Sequence, residues 1–145
     1  MLSDLIPKLS VQRTKVTSLQ GANRVAGNMQ LEIRQASLIA NGTSTDSITF
    51  TSNAASPHPG SWEKVILNQG NLTSEISYCN FSYANVGLAV NQIGRSIVIN
   101  HSTFSNNDNG FTGGAAGIDS TVIENSIFVN NTNAGISGLF TGMIN

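Results

Sequence analysis

Charge is scarce in this chain. Lys, Arg, Asp and Glu make up 10% of its 145 residues, where soluble domains carry roughly a quarter. The formal net charge is −1. Without clustered Lys/Arg there is no field to hold nucleic acid or an anionic membrane surface, so neither is expected as a partner. The shortage does not spell disorder, which pairs low hydrophobicity with high net charge; here 39% of residues are apolar. Cysteine occurs once, at Cys79, which excludes an internal disulfide framework and a cysteine-based zinc site. No apolar run approaches the roughly 18 residues of a membrane-crossing helix, so no membrane insertion is expected. The opening Met1-Leu-Ser-Asp-Leu-Ile-Pro-Lys-Leu9 has neither the basic start nor the continuous apolar stretch of a secretion signal. That leaves an intracellular chain, or one whose signal has been removed.

Asn, Ser, Gly and Thr fill the space that charge leaves, and they read first as turn chemistry. They punctuate a repeat. Ser74 to Leu88, Ile97 to Phe111 and Thr121 to Ile136 align on Phe81, Phe104 and Phe128, at a spacing of 23–24 residues. Isoleucine stands five places before each Phe (Ile76, Ile99, Ile123) and a small residue two places before it (Cys79, Ser102, Ser126). A Gly followed by an apolar residue comes six or seven places after. A period in the low twenties, built of short apolar pairs, marks a solenoid whose repeat is one turn of parallel strands.

Period-two alternation assigns the faces. Ser74/Ile76, Ile97/Ile99 and Thr121/Ile123 point inward on one strand. After a short bend at Tyr78, His101 and Asn125, the small residue and the Phe point inward on the next. Leu88/Val90, Phe111 and Ile136 begin a third. The expected fold is all-β: a three-sided parallel β-helix of about four to five turns, with Phe81, Phe104 and Phe128 in one interior stack. Residues 27–145 make up the coil. Residues 1–26 stand outside the repeat as a leader or cap, with Leu2, Leu5, Ile6 and Leu9 at helical spacing. From Phe50 to Val65 is fifteen residues, against seven from Phe81 to Leu88. The first full turn therefore carries an insertion at one corner, holding Ser56-Pro-His-Pro-Gly-Ser-Trp62.

Ser37-Leu-Ile-Ala-Asn-Gly-Thr-Ser-Thr-Asp-Ser-Ile-Thr-Phe-Thr-Ser52, then Pro59-Gly-Ser-Trp62, then the Ser-x-Ile-x-x-Cys/Ser-x-Phe units, resemble the right-handed parallel β-helix repeat family. These are large bacterial secreted and surface proteins, relatives of the pectate-lyase fold. The resemblance covers roughly residues 27–140 and implies a right-handed coil and a secreted or cell-surface location. Ser61 stands where the family usually has Asp, so any contact of that acid is lost or replaced. The fold hosts enzymes, adhesins and scaffolds alike, so function must come from a site.

Lyases of this fold resemble one another in clustering Asp/Glu around calcium, with Arg or Lys as base. Calcium takes six to eight oxygens, and this chain offers few carboxylates. Glu75 and Glu124 lie two turns apart, roughly 10 Å along the axis, with Val98 and Val122 between and beside them. Paired glycosidase carboxylates lie within about 9.5 Å. His101 reads as a turn residue, and Asp108 and Asp119 as turn formers. No catalytic residue, metal site or cofactor is expected.

Two surface features remain. His58, Trp62, Glu63 and Lys64, joined by Arg34 from the preceding turn, offer an aromatic ring with flanking hydrogen-bonding groups, as a polysaccharide-binding site does; the plainer reading has Trp62 shielding a strand edge. At the C-terminal end Ile136, Leu139, Phe140, Met143 and Ile144 form an apolar layer that invites end-to-end association into a homo-oligomer or filament. The expectation is a non-catalytic structural or adhesive module that self-associates, with a carbohydrate-binding or lyase-like coil using the Trp62 loop as the alternative.

Overall fold

The computed structural model describes residues 8–11, 29–68, 73–91, 96–113, 120–138 and 142–144. They contain strands and no helix. In chain order these are β1 (Lys8–Val11), β2 (Gln30–Arg34), β3 (Ser37–Asn41), β4 (Ile48–Phe50), β5 (Trp62–Asn68), β6 (Ser74–Ser77), β7 (Cys79–Ser82), β8 (Ala84–Val90), β9 (Ser96–Asn100), β10 (Thr103–Ser105), β11 (Asn109–Gly113), β12 (Ser120–Glu124), β13 (Ile127–Val129), β14 (Ala134–Gly138) and β15 (Gly142–Ile144).

From β2 onward every third strand joins the same sheet. The first sheet runs β1-β3-β6-β9-β12-β15, the second β4-β7-β10-β13 and the third β2-β5-β8-β11-β14. Each strand pair is parallel. The fold is a parallel β-helix with three strands per turn.

Register places like residues on like. Ile76, Ile99 and Ile123 share one column, and Leu88, Phe111 and Ile136 another. The aromatic column is one member longer than the three-Phe repeat predicts. Phe50 stacks on Phe81, Phe81 on Phe104 and Phe104 on Phe128, with ring centroids 4.6, 4.7 and 4.8 Å apart and planes within 4° of parallel. Strand spacing imposes that separation, and offset faces let the rings accept it. Phe50, Phe81 and Phe104 are buried, while Phe128 is partly covered.

The corners turn on single left-handed residues. Tyr78, His101 and Asn125 have φ of 49°, 47° and 49°, and Tyr83, Asn106 and Asn130 have 63°, 56° and 54°. Asparagine takes that conformation readily; tyrosine does so only where its surroundings hold it there. Tyr78 is held by a stack on His101, centroids 4.8 Å apart.

Beside each corner runs a polar ladder, buried at Ser102 and Asn107 and partly covered at Ser126 and Asn131. Ser102 Oγ accepts the Cys79 N–H (3.1 Å) and donates to Asn100 O (2.9 Å); Ser126 Oγ does the same for the Ser102 N–H (3.1 Å) and Glu124 O (2.8 Å). At the other corner Asn107 Oδ1 accepts the Ala84 N–H (2.9 Å) while its Nδ2 donates to Phe81 O (3.0 Å). Asn131 repeats both contacts one turn on, to the Asn107 N–H and Phe104 O. Asn107 is fully buried. Asn107 in the core and the partly covered Asn131 thus hydrogen-bond the backbone of the turn before, beyond the turn-forming role composition assigns them. A buried amide with both ends paired avoids the penalty for an unmet polar group.

Helical spacing in the first residues does not carry through to Leu9, which lies in β1, paired with β3 in the first sheet. Leu2, Leu5 and Ile6 lie outside the described residues.

Candidate functional site

The long corner between β4 and β5 is where the coil departs most from its repeat. Gly60 (φ 80°) makes its turn. Ser61 Oγ accepts the His58 N–H at 2.9 Å, and the Ser61 N–H donates to His58 O at 3.0 Å, so Ser61 itself closes the loop. His58 is exposed, with Nδ1 2.7 Å from Pro59 O.

Trp62 is not on that surface. It is 4% exposed, packs in the core cluster and donates its indole N–H to Ser82 O at 2.8 Å. The ring covers the start of β5 against the next turn, and no face of it is open to a sugar. Glu63 and Lys64 do lie outside, half-buried and ion-paired at 3.0 Å. Asn85 on β8 joins them, donating from Nδ2 to both Glu63 carboxylate oxygens at 3.2 Å. Arg34 is elsewhere. Lys64 pairs with Gln30 and Arg34 with Asn68, which separates them by four residues of strand, about 13 Å.

Arg34 belongs to its own trio. Its Nε lies 2.8 Å from Glu32 Oε1, and Asn68 Nδ2 donates to the same oxygen at 2.7 Å. Burial alone would raise the Glu32 pKa; the Asn68 hydrogen bond and then the Arg34 charge outweigh it and hold the carboxyl below its ordinary value. The five residues of the proposed sugar site therefore fall into four places: an exposed His58, a buried Trp62 and two separate ion pairs.

The carboxylates that would mark a lyase stand apart as well. Glu75 is exposed in register with Val98, and Val98 with Val122; Glu124 pairs with Asn100, two positions along. His101 is exposed at its bend against Tyr78. Among the described residues no three His, Cys, Asp or Glu side chains gather as a metal ion requires. Cys79 is buried, its thiol pushed up to about 12 by loss of solvent, despite hydrogen bonds that favour the thiolate; a nucleophilic thiol needs the opposite shift.

At the far end, Ile136 continues the Leu88–Phe111 column and is partly covered. Met143 and Ile144 belong to β15, in register with Val122 and Ile123. Leu139 and Phe140 lie outside the described residues. The adjoining strand β13 carries two apolar residues on its outer face that the sequence reading passed over: Ile127, 58% exposed, and Val129, 42%. They replace the hydroxyls of Thr103 and Ser105, their register partners. Asn85 was missed too, since only the register across the long corner sets it opposite Glu63. Compared with known proteins, the chain matches no family model, no curated protein and no solved structure.

Proposed function

We propose that this chain is a non-catalytic structural or adhesive module of an extracellular or cell-surface assembly, related to the pectate-lyase-like β-helices, and that copies of it associate end to end. The observation that carries this reading is the edge formed by β13 and β14. Among the described residues both are outermost in their sheets, and Phe128, the outer ring of the aromatic stack, is only partly covered. The Ile127 N–H donates to Ser102 O and Val129 O accepts the Asn106 N–H. Strand alternation then points the N–H and C=O of Phe128 away from the coil, along its axis. An apolar layer bordered by outward backbone groups is a template for another strand.

Light scattering over a concentration series tests the reading. The mass of the wild-type protein rises toward high micromolar concentration, and Phe128→Asp, which puts a charge on the last ring, holds it at the monomer mass. A wild-type protein that stays monomeric across the series sinks the proposal. So does association that Phe128→Asp leaves unchanged, with circular dichroism confirming the fold of the variant.

A further inference from the structure

Glu63, Lys64 and Asn85 meet on the outside of the third sheet, where the coil resumes after its long corner. Trp62 pairs with Ala84 and Lys64 with Val86, so Glu63 lies opposite Asn85 on the next turn. The register shifts between Lys64 and Val65. Such an irregularity re-aims side chains that strict alternation would send to opposite faces. Lys64 Nζ consequently stands 3.0 Å from Glu63 Oε1, the oxygen that also accepts from Asn85 Nδ2 at 3.2 Å. An amine, a carboxyl and a carboxamide share one oxygen atom. Their surroundings are partly dry, with 25% of the Lys64 side chain and 16% of the Glu63 side chain exposed.

We propose that Lys64 and Asn85 become joined by an isopeptide bond, formed by the chain itself with Glu63 as proton carrier. Along the ion pair, one proton passes from Nζ to the Glu63 carboxylate, leaving a neutral amine and a neutral carboxyl. The Nζ lone pair attacks Asn85 Cγ; the Nζ–Cγ bond forms and the carbonyl electrons move onto Oδ1. Glu63 relays a proton from Nζ to Nδ2, the carbonyl re-forms, the Cγ–Nδ2 bond breaks and ammonia leaves. A primary amine and a primary amide have become a secondary amide and ammonia, with no oxidant, reductant or cofactor consumed. Holding both reactants against one carboxylate supplies the proximity that such a reaction lacks in free solution.

The neighbouring trio is the natural control. Arg34, Glu32 and Asn68 repeat the arrangement at 2.8 and 2.7 Å, but a guanidinium keeps its proton and is no nucleophile. The cross-link would tie the turn that follows the long corner to the turn after it, whether or not copies associate end to end.

Intact-mass spectrometry of the full chain, kept for several days at neutral pH, decides the matter. The expected mass is that of the sequence less one ammonia, and proteolysis yields a branched peptide containing Lys64 and Asn85. Lys64→Arg and Glu63→Gln restore the full sequence mass, and the branched peptide disappears. A wild-type protein at full sequence mass overturns the proposal, whatever the variants do. An ammonia deficit that maps instead to a succinimide at Asn41-Gly42 or Asn109-Gly110 overturns it equally.

Discussion

The Cys79 thiol points into the coil and donates to Ala40 O at 3.3 Å and Ser77 O at 3.4 Å. Burial holds its pKa near 12, whereas an unfolded thiol titrates near 8.5. Above that lower value the unfolded chain sheds its proton and the folded chain does not. The stabilising contribution is therefore whole below about pH 8.5 and is lost as pH rises toward the folded value. In the same column Ser102 and Ser126 donate to the carbonyl two residues back, and Ser77 O offers a serine at position 79 the same partner. Cys79→Ser should change stability by less than about 1 kcal/mol at neutral pH, and should reduce the fall in melting temperature between pH 8 and pH 11. An aromatic disulfide reagent should label wild-type Cys79 only in denaturant. Rapid labelling of the native protein would show that the thiol is reachable after all.

Among elements, β8, β11 and β14 show most clearly what the repeat is for. Gly87, Gly110 and Gly135 stack across them, and the space beside each is taken. A Cβ on Gly110 would come 2.5 Å from Gly135 O and 2.9 Å from Phe128 Cδ1; one on Gly87 would come 2.7 Å from Gly110 O. The left-handed glycines of the described chain are Gly60 and Gly138, so these three are glycine for room alone. Gly110→Ala should destabilise by about 1–3 kcal/mol, the range for overpacking, read as a lowered denaturation midpoint with the slope unchanged. A neutral result would mean the Phe column yields more easily than stacked rings should. The glycine column was visible in the sequence as a period; the reason for it was not, because it depends on where the Phe rings of the adjoining strand stand. The same division holds elsewhere. The Phe, Ile and small-residue columns could be read directly because strand registry translates a 23–24-residue period into contact. Trp62 was legible as the cover of a strand edge, the plainer of its two readings; Asn85 was not, because its partner Glu63 lies next to the long corner that breaks the period. Asn107 and Asn131 were legible as corner residues, but the direction of their amides is set by the turn before their own.

As a whole molecule the coil is nearly one-dimensional: each turn touches only its neighbours, and stability is close to a sum of turn and interface terms. Damage in the middle therefore weakens two interfaces at once. Phe104 is fully buried between Phe81 and Phe128, and Phe104→Ala should lose about 3–5 kcal/mol. Amide hydrogen exchange should quicken in β7 and β13 together, and much less in β2 and β3. Uniform quickening throughout the coil would show that the turns open as one unit. The polar ladders add a direction to this stack. Ser102 and Asn107 receive the amides of Cys79 and Ala84 from the turn before, as Ser126 and Asn131 receive those of Ser102 and Asn107. In these described ladders a turn is completed by its successor. On a ribosome, which adds roughly 5–20 residues per second, each turn must wait on the order of seconds for the side chains that finish it. Folding then trails synthesis by one turn of chain, and a nascent coil always carries an unfinished rim at its growing end.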